Sequence, residues 1–265
     1  MSEDPPIPIS TFRADALRVS VYRTRAEAGR AAADYVRMGI ERFFLTSGTA
    51  RIVFAAAPSQ NEFLADLSSG NTVDWTRVVA FHMDEYLGLG ANHASSFRSY
   101  LHHHIFKKTA ISQDRLRLIP GERVERPARV CLDYEEVLRS DPPDIVCAGI
   151  GENGHLAFND PPVADFADPV WVKVVRLDAE CRAQQVNDGG FARLEDVPTH
   201  AYTLTIPALM SAAMISVVVL GHRKAPAVRA ALRCAIDESC PASVLRRHAG
   251  AMLFLDSDAA RDVIS

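Results

Sequence analysis

One short stretch, Gly149 to Pro162 (GIGENGHLAFNDPP), sets a histidine, an amide and a carboxylate on a single glycine-bracketed loop. His155 is a candidate proton carrier, Asn153 can orient it by hydrogen bonding, and Asp160 supplies an acid or base from the same loop. A second acidic pair, Asp84 and Glu85, lies in the segment FHMDEY. Adjacent carboxylates beside a buried strand raise each other's pKa, and a desolvated carboxylate is a competent base for taking a proton from carbon. The alternative for each is structural: His155 as a hydrogen-bonded loop histidine, and Asp84 or Glu85 as the cap of a turn or helix.

Two further segments suit an anion. Ser47-Gly48-Thr49 reads as a strand-to-helix turn of small residues, where backbone N–H groups approach a phosphate and the helix dipole adds attraction. Lys224 follows the apolar run Ile215 to Gly221 and begins a helix, a place where a cation gains nothing from the dipole unless an anionic ligand sits beside it. No Gly-Lys-Ser/Thr follows the small-residue turn, so a nucleoside triphosphate is not implied. The literal G-x-G-x-x-G at Gly149, Gly151 and Gly154 is not a dinucleotide fingerprint, because Asn159-Asp160-Pro161-Pro162 forbids the helix such a motif must open.

Metal chemistry finds no support in the spacing. His102, His103 and His104 are consecutive on a helix and point about 100° apart, and His82 with Asp84 lacks further ligands at recognisable intervals. The five cysteines (131, 147, 181, 234 and 240) are odd in number and show no C-x-x-C pattern, so neither a disulfide framework nor a zinc site is indicated. A mechanism with no metal and no cofactor is expected.

These residues need a scaffold that brings strand ends together. Strands are predicted at Arg18–Tyr22, Phe43–Thr46, Arg77–His82, Arg115–Ile119, Asp144–Ala148, Val172–Leu177, Ala201–Ile206, Ile215–Leu220 and Ala251–Leu255. Between them, helices are predicted at Arg25–Phe43, Ala50–Ala57, from the Ser59-Gln60-Asn61-Glu62 capping pattern through Leu67, at Ser95–Phe106, Pro127–Leu138 and Lys224–Cys234, with a turn at Asn71. This alternation implies an α/β sandwich with a mostly parallel sheet. Asp144 to Ala148 is apolar and β-branched, as in a strand buried on both faces, so His155 falls just beyond a strand's carboxyl end, the edge where open α/β sheets bind ligands.

A chain of 265 residues with 48% hydrophobic content and mean hydropathy of −0.01 is read as one globular domain spanning residues 1–265. The net charge of −4 and the scattered lysines and arginines give no footprint for nucleic acid. No apolar stretch approaches the ~18 residues needed to cross a bilayer. The acidic, proline-bearing MSEDPPIPIS is unlike a secretory signal, and a cytoplasmic protein without a membrane partner is expected. The oligomeric state is not fixed, and a homo-oligomer is allowed.

Met83-Asp84-Glu85-Tyr86-Leu87-Gly88-Leu89, Ser95-Ser96-Phe97 and the run GENGHLAFNDP from Gly151 to Pro161 together resemble the glucosamine-6-phosphate deaminase (isomerase) family. The likeness runs from Ser47-Gly48-Thr49 through Lys224 to the last strand. It implies a three-layer sandwich with a modified, mostly parallel doubly wound sheet, related to 6-phosphogluconolactonase and ribose-5-phosphate isomerase. It also implies conversion of a 2-amino-2-deoxy-hexose 6-phosphate, glucosamine 6-phosphate first among them, to a ketose 6-phosphate with release of ammonia. On the matching positions Asp84 would move a proton between C2 and C1, and His155, with Asn153 and Asp160, would assist ring opening. Ser47, Gly48, Thr49 and Lys224 would hold the phosphate of this small-molecule sugar substrate, while Glu85 and Arg182 would be further substrate contacts.

The sequence departs from the family's pattern at three places. Asn153 stands where some members have aspartate, Asp160 where glutamate is usual, and Ser-Gly-Thr-Ala where many have Gly-Gly-Thr-Pro or Gly-Gly-Ser-Pro. The segment Val163 to Trp171 lacks the Ser/Arg-rich stretch of the allosterically regulated deaminases. Two other readings stay open: a 6-phosphogluconolactonase-like hydrolase, whose relatives show Asp-Gly-His-Thr-Ala-Ser instead, and a non-catalytic sugar-phosphate sensor.

Overall fold

The structure is a computed structural model that describes residues 5–70 and 72–264; the turn expected at Asn71 lies outside them. In chain order the elements are β1 (Ser10–Ala14), β2 (Leu17–Tyr22), α1 (Arg25–Ser47), β3 (Ala50–Phe54), α2 (Asn61–Leu67), β4 (Val78–His82), β5 (Asp84–Tyr86), α3 (Phe97–His104), β6 (Leu116–Arg117) and α4 (Pro127–Ser140). There follow β7 (Ile145–Ala148), β8 (Val172–Arg176), α5 (Ala179–Asn187), β9 (His200–Leu204), α6 (Ile206–Met210), β10 (Met214–Val219), α7 (Ala225–Arg233), β11 (Ala251–Asp256) and α8 (Ser257–Ala260). Eight strands form the main sheet in the order β1-β2-β11-β10-β7-β3-β4-β6. All its neighbours are parallel except the β1–β2 hairpin.

The inner strands are buried on both faces, and their alternation sorts the core into two layers. Val53, Phe81, Val146, Val217 and Leu253 face one layer with residues of α4, α6 and α7. Ile52, Phe54, Ala80, Cys147, Val218 and Phe254 face the other, against α1, α2 and α3. The result is the expected three-layer α/β sandwich. Among the described residues no helix is long and apolar enough to cross a membrane.

Three parts of the sequence-based reading need correction. Residues 43–46 continue α1, which begins at a Thr24/Glu27 capping box and runs 23 residues to a left-handed Gly48 at φ 77°. The Ala50–Ala57 stretch expected to be helical begins instead with β3, because Ile52, Val53 and Phe54 fill the sheet interior. Finally, β8 and β9 leave the parallel sheet and join β5 in a separate antiparallel sheet, ordered β5-β9-β8. The elements β1, β5, α5, α6 and α8 have no counterpart in the sequence-based expectation.

His82 ends β4 fully buried, with both ring nitrogens lacking hydrogen-bond partners among the described residues. The Tyr134 hydroxyl accepts from its backbone N–H at 3.3 Å and donates to its carbonyl at 3.0 Å, but leaves the ring alone. Burial, assisted by the Arg98 charge, lowers the imidazole from the ordinary 6.5 to about 3. The folded protein therefore binds no proton there while the unfolded chain does, so stability falls as pH drops below the unfolded value. Replacing His82 by Leu should remove that dependence: the unfolding free energy of the wild type relative to His82→Leu, measured by denaturant titration, should fall by about 2 kcal/mol between pH 7 and pH 5.

Candidate active site

At Met83 the chain leaves the main sheet for the small one, the Met83 carbonyl accepting from Leu204 N–H at 2.7 Å. Asp84 and Glu85 thus occupy consecutive positions of a strand, and their side chains point to opposite faces. Asp84 reaches a cavity of about 400 Å³ at the carboxyl ends of the parallel strands. Its carboxylate has no hydrogen bond or ion pair among the described residues, and burial followed by the neighbouring Glu85 charge raises its pKa well above the ordinary carboxylate value. Glu85 turns away from the cavity. It accepts from Ser96 Oγ (2.6 Å), Phe97 N (3.2 Å), Arg98 N (3.1 Å) and Arg98 Nε (3.3 Å), so the contact expected with substrate is replaced by a cap on α3.

The loop after β7 folds back on itself. Gly151 N–H donates to the His155 carbonyl at 3.0 Å, Gly154 turns at φ 85°, and Ala157 takes a left-handed φ of 51°. Buried Asn159 ties the loop down by donating to the Leu156 and Leu204 carbonyls, both at 2.8 Å. The His155 ring lies across Gly151 so closely that a Cβ there would meet the ring atoms at 2.2–2.3 Å. Only glycine at 151 lets the imidazole take this pose.

His155 Nδ1 stands 2.9 Å from Asp160 Oδ1, and Asn153 Nδ2 donates to the same oxygen at 2.9 Å. Asn153 Oδ1 in turn accepts from His155 N–H at 3.1 Å. Burial alone would raise the Asp160 carboxyl, but the hydrogen bond and charge of His155, together with the Asn153 amide, outweigh it and hold Asp160 below the usual carboxylate range. His155 lines the cavity, whereas Asn153 and Asp160 stand behind it. A carboxylate at Nδ1 favours a proton on that nitrogen, which leaves Nε2 free to exchange protons with a ligand.

Lys224 lines the same cavity without a hydrogen bond or ion pair among the described residues. Burial lowers its pKa, partly opposed by the charges of Asp188 and Glu152. The other expected anion residues are elsewhere. Ser47 ends α1, Gly48 caps its carboxyl terminus, and Ser47 Oγ donates to the Phe43 and Thr49 carbonyls at 3.0 and 2.8 Å. This turn precedes β3 and so lies at the sheet edge opposite the cavity, at the negative end of a helix dipole, which disfavours phosphate. The loop that does enter the cavity follows β3: Ala55, Ala56, Ala57, Pro58 and Ser59. Arg182 is also absent from the cavity wall, its guanidinium donating to the Leu194 and Val197 carbonyls at 2.7 and 2.9 Å.

Several wall residues escaped the sequence reading. Arg25 lines the cavity while paired with Glu62 at 2.7 Å. From α5 and the turn after it come Gln184, Gln185 and Asp188. With Cys181 these residues follow an i, i+3, i+4, i+7 stripe, a helical signal hidden because the stripe is polar. Ser95 Oγ donates to the Gly190 carbonyl at 2.6 Å, joining the segments that cover the cavity from two sides.

Comparison with known proteins agrees with this fold. The family described as glucosamine-6-phosphate isomerases/6-phosphogluconolactonase matches residues 23–254. The glucosamine-6-phosphate deaminase of Listeria monocytogenes serotype 4a is 37% identical over 216 residues, covering 82% of this chain and 89% of the relative. That of Bacillus thuringiensis is 35% identical over 189 residues, covering 71% and 69%. Among solved structures, a monomeric glucosamine-6-phosphate deaminase matches with a TM-score of 0.85 at 27% identity, covering 92% of this chain and 99% of that one. The 6-phosphogluconolactonase of Trypanosoma brucei shares the fold, with a TM-score of 0.77 at 18% identity over 96% and 100%. With its family match spanning most of the sequence and its strand-end cavity in place, the chain belongs to the glucosamine-6-phosphate isomerase/6-phosphogluconolactonase family.

Proposed function

We propose that this protein, acting as one domain in the cytoplasm, converts a 2-amino-2-deoxy-hexose 6-phosphate, glucosamine 6-phosphate foremost, to the ketose 6-phosphate and ammonia. The observation that carries the reading is the convergence of Asp84, His155 and Lys224, from three separate strand ends, on one cavity. Lys224 and the loop Ala56–Ser59, with Arg25 nearby, form the phosphate end. This assignment replaces the Ser47–Thr49 turn. His155 Nε2 takes the proton of the anomeric hydroxyl and returns it to the ring oxygen, and Asp160 stabilises the imidazolium formed in between. Asn153 holds both partners in register without adding charge.

In the open chain Asp84 removes the proton from C2 while O1 takes a proton from the substrate's ammonium group, giving an enolamine; Asp84 then delivers its proton to C1, and water hydrolyses the resulting C2 iminium to ketone and ammonia. The substrate's own nitrogen stabilises the intermediate, and the protein supplies position and two proton carriers. A buried, unpaired Asp84 suits this role because its raised pKa makes it a stronger base.

Incubation with glucosamine 6-phosphate should release ammonia and fructose 6-phosphate in equal amounts, while 6-phosphogluconolactone should be left unhydrolysed above the background rate. The reverse pattern overturns the proposal. Asp84→Asn should lower kcat by roughly 100- to 10,000-fold with KM little changed, since the phosphate contacts persist. Because the base must be ionised, kcat/KM should rise with pH through a limb above the ordinary carboxylate range, and a limb near pH 4 would contradict the environment described for Asp84. Gly151→Ala should displace the imidazole and depress kcat at least 10-fold while leaving the unfolding midpoint within a few degrees of wild type, because the atoms that must move belong to a side chain.

A further inference from the structure

Behind the catalytic imidazole, the atoms that steady it stand beside a thiol that has no task in the reaction. His155 Nδ1, an Asp160 carboxylate oxygen and Cys181 Sγ lie within 4.8 Å of one another, and all three residues are buried. Among the described residues Asp160 Oδ2 meets no nitrogen or oxygen donor, while the Cys181 thiol stands close enough to interact with the Asp160 carboxylate. We propose that His155, Asp160 and Cys181 form a binding site for a thiophilic divalent cation of the zinc class, and that its occupation switches the enzyme off.

Nitrogen, oxygen and sulfur in this combination are the donors zinc prefers, and a tetrahedral ion would set them about 3.3–3.6 Å apart. The His155–Asp160 separation of 2.9 Å needs to widen by a few tenths of an ångström, and the thiol needs to move inward by about one. Cys181 is placed by α5, whose cap Asp178 accepts from the Cys181 backbone N–H at 2.6 Å. Burial above all, and then the carboxylates of Asp160, Asp178 and Asp84, keep the thiol from ionising alone, and those carboxylates are the charge a dication would meet. A bound dication would reverse that balance, releasing the thiol proton to solvent and forming a metal–thiolate bond. The cavity supplies the entry path, since His155 forms part of its wall.

Occupation would commit Nδ1 and the Asp160 carboxylate to the metal, leaving Nε2 protonated and unable to take the anomeric proton. That inhibitory consequence rests on the deaminase reading; the binding itself does not. The test uses the full chain with any affinity tag removed and with Cys234, the exposed cysteine, changed to Ser. Titration with Co2+ should give one equivalent carrying a thiolate-to-cobalt charge-transfer band, and Zn2+ should displace it. Cys181→Ser should lose the band and bind Zn2+ at least 10-fold more weakly, with Cys181→Ala, checked for a cooperative unfolding transition, behaving likewise. Ammonia release should be abolished by one equivalent of Zn2+ and restored by EDTA, and each Cys181 variant should resist Zn2+ relative to its own metal-free rate. A band that survives Cys181→Ser, or Zn2+ affinities equal within 2-fold, overturns the site. Binding as described in a protein that releases no ammonia upholds the site and sinks the deaminase reading instead.

Discussion

The arrangement depends on one buried carboxylate. Glu85 is fully enclosed, a costly position for a charge unless donors surround it, and it is met by the Ser96 hydroxyl, the first amides of α3 and the Arg98 guanidinium. Arg98 extends the network to Glu122 at 2.6 Å and to the Leu89 carbonyl at 3.0 Å. The small sheet, the cover over the cavity and the loop leading to residue 122 are therefore fastened at one point. Since a strand sends neighbouring side chains to opposite faces, anchoring Glu85 directs Asp84 into the cavity.

The site then divides labour between two acids by environment. Asp84 is buried beside an anionic neighbour with no donor among the described residues, whereas Asp160 has an imidazole and an amide. Carboxyl groups of one chemical type are pushed in opposite directions, one toward holding a proton and the other toward permanent charge, as acid–base pairs require. Asp160 is a methylene shorter than the glutamate usual in the family, yet it reaches Nδ1 directly, and Asn153 fills the remaining space.

Much of this was legible in the amino-acid order. Runs such as IVCA and ISVVVL announce strands buried on both faces, and the loop bearing His155 identifies itself by its glycines and its Asn-Asp-Pro-Pro stop. The phosphate turn was misplaced because Phe43 to Thr46 has the residues of a strand. A capped helix already under way, with its aromatic residues against the sheet, overrides that local preference. Once the helix boundary moves by four residues, the small-residue turn falls on the wrong side of β3. Arg182 is the nearest arginine to the position the resemblance implies, but α5 points Gln184 and Gln185 inward and leaves the guanidinium to backbone carbonyls. The grouping of Cys181 with His155 and Asp160 could not be seen in spacing, since tertiary packing alone joins the two segments.

The margins of the main sheet carry a consequence for self-association. On one side the last strand, β6, is two residues long, and on the other an antiparallel hairpin strand carrying Arg13 follows the proline-rich segment Pro5 to Pro8. Neither border presents the long, flat row of open amides and carbonyls that a second chain needs in order to extend a sheet. Adding a strand at either margin of the main sheet is thus a poor route to assembly or fibril growth.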